Sequence, residues 1–266
     1  QSAVREMVPG EGRTGVAALG VLKADVDNLG LIFGLGLDKE VQTLTRVSVL
    51  SRQFNNFFAV YLPSLLQEQF KNVYTVFAGG DDLFLIGPWC DMLELAPVIR
   101  SKFADFVCKN PDVTLSMGIS IHKPGEPVTD MARAAEEALE KAKAAAGKDA
   151  VCIFGEVVKW SHLKDLTDFA QQIRSWLIRK TINTAMLYRL NDTISCLETE
   201  KILKKQLLAG KPVAFEKLAH SMTWKARLKY SLVRNIGRDE HSIKSGDSEA
   251  QKVELEQAIR WLEEHG

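Results

Sequence analysis

Gly79, Gly80, Asp81 and Asp82 separate two apolar runs, residues 73–78 and 83–87, that are too apolar to be surface loop. Such runs joined by this tetrapeptide predict a β-hairpin with two carboxylates at its tip. Both glycines are expected to allow positive φ and to leave room for a polyphosphate to approach the backbone. Adjacent carboxylates repel, so a site that keeps both ionised holds a divalent cation. Oxygen donors beside a phosphate substrate favour Mg²⁺ or Mn²⁺. Another apolar run, residues 16–24, ends in Asp25-Val26-Asp27-Asn28-Leu29-Gly30. If it pairs with the hairpin, Asp25 lies beside Asp81. Asp25, Asp81 and Asp82 then form a candidate metal centre for phosphoryl or nucleotidyl transfer, with Asp81 and Asp82 as the catalytic pair. A lone Gly-Gly-Asp-Asp is more often a solvated turn; an acid at a second strand end favours the functional reading.

The chain has 266 residues, enough for one large domain or two ordinary ones. Lys plus Arg and Asp plus Glu both number 34, so net charge points to no nucleic-acid, membrane or acidic partner. Cys90, Cys108, Cys152 and Cys196 form no CxxC pair, which argues against a zinc ribbon or redox motif and for reduced thiols. No stretch has the length and apolarity of a membrane span and no signal-peptide pattern opens the chain, so a cytoplasmic protein is expected. Residues 1–15 are polar, Gly-rich and begin with Gln1; they read as a linker, and the chain as a fragment or one with residues missing before it.

An amphipathic helical pattern spans residues 38–69 through Val41, Leu44, Val47, Phe54, Phe57 or Phe58 and Tyr61, with Pro63 expected to kink or end it. Further helices are predicted over residues 91–109 and from Thr129 or Asp130 to Ala146, with Gly147 as the stop. Strands are predicted over 113–122 and 150–154. The order β-α-β-β-α-β-α-β fits a split βαβ with helices on one face of a mostly antiparallel sheet, an α+β class. This is the ferredoxin-like palm of nucleotide polymerases and cyclases, placed at residues 16–155. A doubly wound Rossmann sheet is the runner-up, ill suited to the central hairpin and to a first strand that no GxGxxG follows. Strand signals stop after about Glu156, and residues 163–190, 194–208 and 253–262 read as helices of a second, helical domain spanning 156–266. Within it, residues 201–235 carry nine Lys or Arg (Lys201, Lys204, Lys205, Lys211, Lys217, Lys225, Arg227, Lys229, Arg234) against one acid, Glu216. With Trp224 and Tyr230 interleaved, this stretch reads as a nucleic-acid track, a solvated helix face or a docking surface for a protein subunit.

A polyphosphate over these acids needs further positive charge. Lys141, Lys143 and Lys148 of the third helix and its end are candidates, with Lys143 spaced to reach the edge of the site. The backbone amides of the turn from Val26 through Asn28, Leu29 and Gly30 form a second candidate cradle. Ser51, Asn55 and Asn56 on the first long helix are candidate base contacts.

The blocks LKADVDNLG (22–30), LSRQFNNFF (50–58), VFAGGDDLFLIGP (76–88), LSMGIS (115–120) and ALEKAKAAAGKDAVCIFG (138–155) together resemble one family. The chain is similar to the second palm and C-terminal helical domain of the large subunit of type III CRISPR effector complexes, nearer the III-A than the III-B branch. The resemblance implies an ATP-consuming cyclase that makes 3′–5′ linked cyclic oligoadenylates when the complex binds target RNA. It implies that Asp25, the Val26 carbonyl and Asp81 hold metal and that Asp82 completes the acidic centre. Ser51 would approach adenine, and Lys143 with Lys148 the triphosphate, over a tip opened by Gly79 and Gly80. Implied partners are the other subunits of the complex, guide crRNA and target RNA, and an N-terminal half with a first palm. The sequence has no His-Asp dipeptide and no zinc-ligand cluster, so single-stranded DNA cleavage is not expected of this chain. Two readings compete: a diguanylate cyclase, whose motif would continue with Glu-Phe where this chain has Asp82-Leu83, and a catalytically idle scaffold subunit.

Overall fold

The structure, a computed structural model, describes residues 16–36, 40, 42–179 and 182–224, together with 226, 227, 230 and 253. The expected linker over 1–15, Val41, Lys225, Lys229, Arg234 and nearly all of the helix expected at 253–262 lie outside the described residues. The chain divides into two compact units, Gln1–Lys164 and Asp165–Gly266.

The first unit is built on a six-stranded sheet in the order β2-β3-β1-β4-β5-β6. Its strands are β1 (Leu19–Val26), β2 (Tyr74–Gly79), β3 (Asp82–Pro88), β4 (Leu115–His122), β5 (Ala150–Ile153) and β6 (Glu156–Lys159). β1 lies antiparallel between β3 and β4, β2 and β3 form the expected hairpin, and β4 runs parallel to β5. The first four strands therefore form the split βαβ core that the sequence predicts. Two residues beyond the end of β5, where strand signals were expected to have ended, β6 adds an antiparallel edge paired from Ala150↔Lys159 to Ile153↔Glu156. β6 is four residues long and half-exposed, and so short a segment leaves little period-two signal.

Two helical layers cover the sheet. The alternation of β1 sends Leu22, Ala24 and Val26 into the main core beside Phe54, Phe57, Phe103, Met92 and Ile99. These come from α2 (Leu44–Asn56), the π-helical turn Phe57–Tyr61, and α4 (Trp89–Phe106). On the opposite face Val21 packs with Met131 and Ala135 of α5 (Val128–Ala144). The expectation that all helices share one face is thus corrected: the α5 crossover between parallel β4 and β5 covers the other side. It lies close because β4 offers no side chain at Gly118, where a Cβ would meet Leu139 N at 2.2 Å and Ala135 O at 2.5 Å.

The long helix predicted over 38–69 is three pieces. After β1 comes a short α1 (Leu29–Leu35), which the periodicity did not reveal. α2 then continues through the π-helical turn into α3 (Leu62–Gln69). Pro63 sits in the first turn of α3 and does not end the helix. It has no N–H to give and would crowd the carbonyl four residues back, and the wider turn, in which Leu62 N–H reaches Phe57 O, accommodates it.

The second unit starts within α6 (Trp160–Ile178) and continues through α7 (Thr184–Leu208) and α8 (Phe215–Ser221). The helices expected at 163–190 and 194–208 break elsewhere: α6 ends at Ile178, and α7 begins beyond Asn183, whose side chain accepts from Met186 N–H at 2.9 Å. The gap left between them at 191–193 is helical within α7, where the Thr193 hydroxyl donates to Arg189 O at 2.7 Å. Trp224 is buried with Trp176, Ile182 and Met186, and its Nε1–H donates to Glu200 Oε2 at 2.7 Å. It is a core residue of this unit and not the exposed stacking platform that the basic stretch suggested.

Gly118→Ala should cost about 2–3 kcal/mol through overpacking of the β4–α5 seam. In thermal unfolding followed by circular dichroism, that is a fall of roughly 5–10 °C in Tm. Gly30→Ala, where a Cβ meets nothing within 4 Å, should leave Tm unchanged or raise it.

Candidate active site

The site lies where β1 and the β2–β3 hairpin end together. Register places Asp25 opposite Asp82, and Gly79 pairs with the same Asp82 from the other side. The sequence expectation that Asp25 lies beside Asp81 is therefore corrected by one residue: Asp82 is the cross-strand partner, and Asp81 occupies the turn. The three carboxylates still converge. One oxygen from each of Asp25, Asp81 and Asp82 lies within 4.8 Å of the others.

The turn itself has two central residues, Gly80 and Asp81. Gly80 takes φ +65° while Asp81 stays at negative φ, the pattern of a type II′ turn, which asks for glycine at the first position only. Gly79, expected to share the positive φ, does not; it closes β2 as an ordinary strand residue. A Cβ on Gly80 would meet nothing within 4 Å, so the protein leaves the tip open on that side. Gly80 N–H donates to Asn55 Oδ1 at 3.0 Å, tying the tip to α2. Asn55, offered by the sequence as a base contact, is thus a hairpin anchor. Ser51, one helical turn earlier, and Asn56 are exposed on α2.

α5 supplies the counter-charge. Lys143 Nζ lies 2.6 Å from Asp25 Oδ2, both side chains largely buried. The Asp25 carboxyl is raised to about 6: burial is the largest cause, Lys143 works against it, and a hydrogen bond that the protonated Asp25 gives to Asp82 and the charge of Asp81 add to it. Burial works against the Lys143 ammonium, but Asp25, Glu140 and Asp82 outweigh it and hold the lysine above its ordinary value. Lys141 is exposed on the same helix. Lys148 lies half-buried in the turn after α5, at φ +48°.

The remaining expected residues follow β1. The Val26 side chain is buried in the core, so only its backbone carbonyl is available as a ligand. Asn28 adopts φ +56° as the cap of α1, its carbonyl accepting from Leu31 and Ile32. Leu29 and Gly30 form the first turn of that helix, with their amides not taken by the ladder of β1. Carboxylate oxygens beside an open turn make a donor set that suits a hard divalent cation.

One residue of the site escaped assignment from sequence. Asp27 is fully buried, and its Oδ2 accepts from Thr114 Oγ1 at 2.7 Å, Ser116 Oγ at 3.0 Å and Asp149 N–H at 3.1 Å. The signal was present in the alternation: two residues beyond Asp25, it belongs to the same face.

Residues 18–152, just over half of the chain, match the family model of the Cas10/Cmr2 second palm domain. The chain belongs to the Cas10/Cmr2 family. It is 43% identical over 142 residues to the subtype III-A CRISPR system single-strand-specific deoxyribonuclease Cas10/Csm1 of Methanocaldococcus jannaschii, a match covering 49% of this chain and 18% of that protein. The protein of the same name from Streptococcus thermophilus is 29% identical over 204 residues, 73% of this chain and 26% of the relative. The chain thus spans about a fifth to a quarter of the length of the curated relatives it matches. A solved Csm1-Csm4 cassette in complex with one ATP shares the fold at TM-score 0.55 and 21% identity, covering 88% of this chain and 33% of that one. A Csm1-Csm4 cassette in complex with cA3 does so at TM-score 0.53 and 20% identity, over 81% and 36%. Among the described residues, no helix is long and apolar enough to cross a membrane.

The raised Asp25 value sets a pH dependence. A proton on Asp25 competes with a cation, so Mn²⁺ affinity should be full above about pH 6 and fall up to tenfold per unit below it. Calorimetric Mn²⁺ titrations from pH 5 to 8 test this; a flat profile down to pH 5 would remove Asp25 from the ligand set.

Proposed function

We propose that this chain carries the nucleotide-joining palm of a type III-A CRISPR effector and that its palm consumes ATP to make cyclic oligoadenylates. The observation that carries this reading is the convergence of Asp25, Asp81 and Asp82 within 4.8 Å, with Lys143 on Asp25, beside a tip left open at Gly80. The relatives' names and the solved cassettes with ATP and cA3 support the class of substrate and product.

In this reading Asp25, Asp81, Asp82 and the Val26 carbonyl hold Mg²⁺ or Mn²⁺. Such an ion supplies charge neutralisation for the polyphosphate and polarises the attacking hydroxyl. The chain's own residues bind and orient. Gly79 and Gly80 let the nucleotide approach the tip closely. Lys143 lies close enough to the acids to move from Asp25 onto a triphosphate oxygen, and Lys148 and the amides of Asn28, Leu29 and Gly30 add donors for the same group. Ser51, exposed on the helix above the tip, faces the adenine. The 3′-hydroxyl of one ATP attacks the α-phosphorus of the next, the new 3′–5′ bond forms, and pyrophosphate leaves in line with its charge met by the lysines.

The deoxyribonuclease named for the relatives belongs to those longer proteins; the acid cluster here supports nucleotidyl transfer. The resemblance implies that cyclisation uses two palms facing each other, so this chain is proposed to work with a first palm, the other effector subunits and crRNA bound to target RNA, in the cytoplasm.

Calorimetry with ATP and with GTP, with and without Mn²⁺, on the wild type and on Asp81→Ala/Asp82→Ala tests the proposal. Expected are Mn²⁺-dependent binding that prefers ATP, its loss in the double variant, and little turnover by the isolated chain. Preference for GTP would replace the reading with a diguanylate cyclase. Nucleotide binding indifferent to Mn²⁺, or no binding, would replace it with an idle scaffold.

A further inference from the structure

The turn from α5 into β5 is built from backbone that needs holding. Gly147, Lys148 and Asp149 follow one another at φ +73°, +48° and +46°, and only the first is a glycine. Left-handed backbone at a non-glycine residue costs roughly 1 kcal/mol or more, so two in succession persist only where the surroundings impose them. Three side chains from three elements do so. Arg100 of α4 pairs with Asp149 Oδ1 at 2.8 Å. Lys159 of β6 donates to Ala146 O at 2.7 Å and also to Lys148 O. Asp27, at the end of β1, accepts the Asp149 N–H at 3.1 Å.

Asp27 is the unusual member. It is fully buried, its Oδ2 collects three donors, and its Oδ1 has no hydrogen-bond partner among the described residues. A buried carboxylate with an unpaired oxygen is costly, and a residue meant only to fill space would be apolar. What the carboxylate offers is a single point joining β1, β4 and the turn. It stands two residues from Asp25, and the turn it grips begins two residues after Lys143, at Ala145, where α5 gives way to extended backbone with ψ 143°. The position of the last helical turn relative to the acids is therefore set through this clamp.

We propose that Asp27 is a positioning residue: through the Asp149 N–H it fixes the 145–149 turn so that Lys143 and Lys148 present their charge to a triphosphate beside the acid cluster. This rests on the nucleotide site proposed above and assigns to Asp27 a role in gripping the polyphosphate, with no contact to metal or base. Arg100 and Lys159 act on the same turn from its other sides. Loss of the clamp loosens the lysines while leaving Asp25 and Asp82 on their strands and Asp81 in the hairpin turn.

The test measures three quantities on the wild type, Asp27→Ala, Asp27→Asn and Lys159→Met. These are amide hydrogen exchange over residues 147–149, calorimetric affinity for inorganic tripolyphosphate and for ATP, and affinity for Mn²⁺ alone. In Asp27→Ala the Asp149 amide should lose its protection and both triphosphates should bind about tenfold more weakly, with Mn²⁺ affinity within about twofold of wild type. Asp27→Asn keeps an acceptor for Asp149 N–H and should recover most of the triphosphate affinity. Lys159→Met removes an independent hold on the turn, should show the same split, and carries the test if Asp27→Ala does not fold. Unchanged exchange at Asp149, unchanged triphosphate affinity with the amide exposed, or a parallel loss of Mn²⁺ affinity would each overturn the inference. A wild type that binds no triphosphate overturns the proposed function and this inference with it. Wild-type binding that Asp27→Ala and Lys159→Met leave intact overturns the inference alone.

Discussion

The antiparallel pairing of β1 with β3 is the constraint on which the rest of the first unit depends. Its register, from Leu19↔Pro88 to Asp25↔Asp82, fixes two things together. Even-numbered residues of β1 enter the aromatic core under α2 and α4, and odd-numbered ones meet α5. A slip of one residue would turn Leu22 and Ala24 out of the core and drive Asp25 toward Phe54 and Phe103, an exchange of apolar burial for a buried charge. Core packing therefore holds the acids opposite one another, and the cluster requires no interaction of its own to assemble.

That coupling explains which features were legible in the sequence. The hairpin, the strand ending in Asp25, α4, β4 and α5 each carry a period or a punctuating residue, and each is present within a few residues of its expected place. What escaped depended on partners distant in sequence. β6 exists because β5 offers it an edge. The face chosen by α5 follows from Gly118, whose missing side chain gains meaning only once Leu139 lies against it. Pro63 reads as a kink or an end, since a π-helical turn that lets the helix run on has no local signature.

The site divides along the same line. Asp25, Asp81, Asp82 and Lys143 were legible because acids at strand ends and a lysine at the end of an Ala-rich helix are conspicuous against their neighbours, and the structure brings them together. The roles of Asn55 and Asp27 were not, because their side chains accept from backbone amides, Gly80 N–H and Asp149 N–H, that sequence leaves anonymous. Trp224 misled for the opposite reason. An aromatic among lysines resembles a stacking platform until its burial with Trp176 and its bond to Glu200 are seen.

The two signs of charge at the site are held in physically different ways. Asp25 and Asp82 stand on neighbouring strands of the sheet, locked by the backbone ladder and by the core beneath it. Lys143 stands on the last turn of α5, beyond which the chain is extended and strained and is secured by single side chains from β1, α4 and β6. A ladder yields only when the sheet opens, whereas a clamp of a few hydrogen bonds yields at the scale of one bond, about 1 kcal/mol. The acidic half of the site is therefore as rigid as the fold, and its basic half can respond locally. In the proposed function, a triphosphate that draws Lys143 from Asp25 would need that division: fixed carboxylates to define the reacting centre, and an ammonium free to change partners without disturbing them.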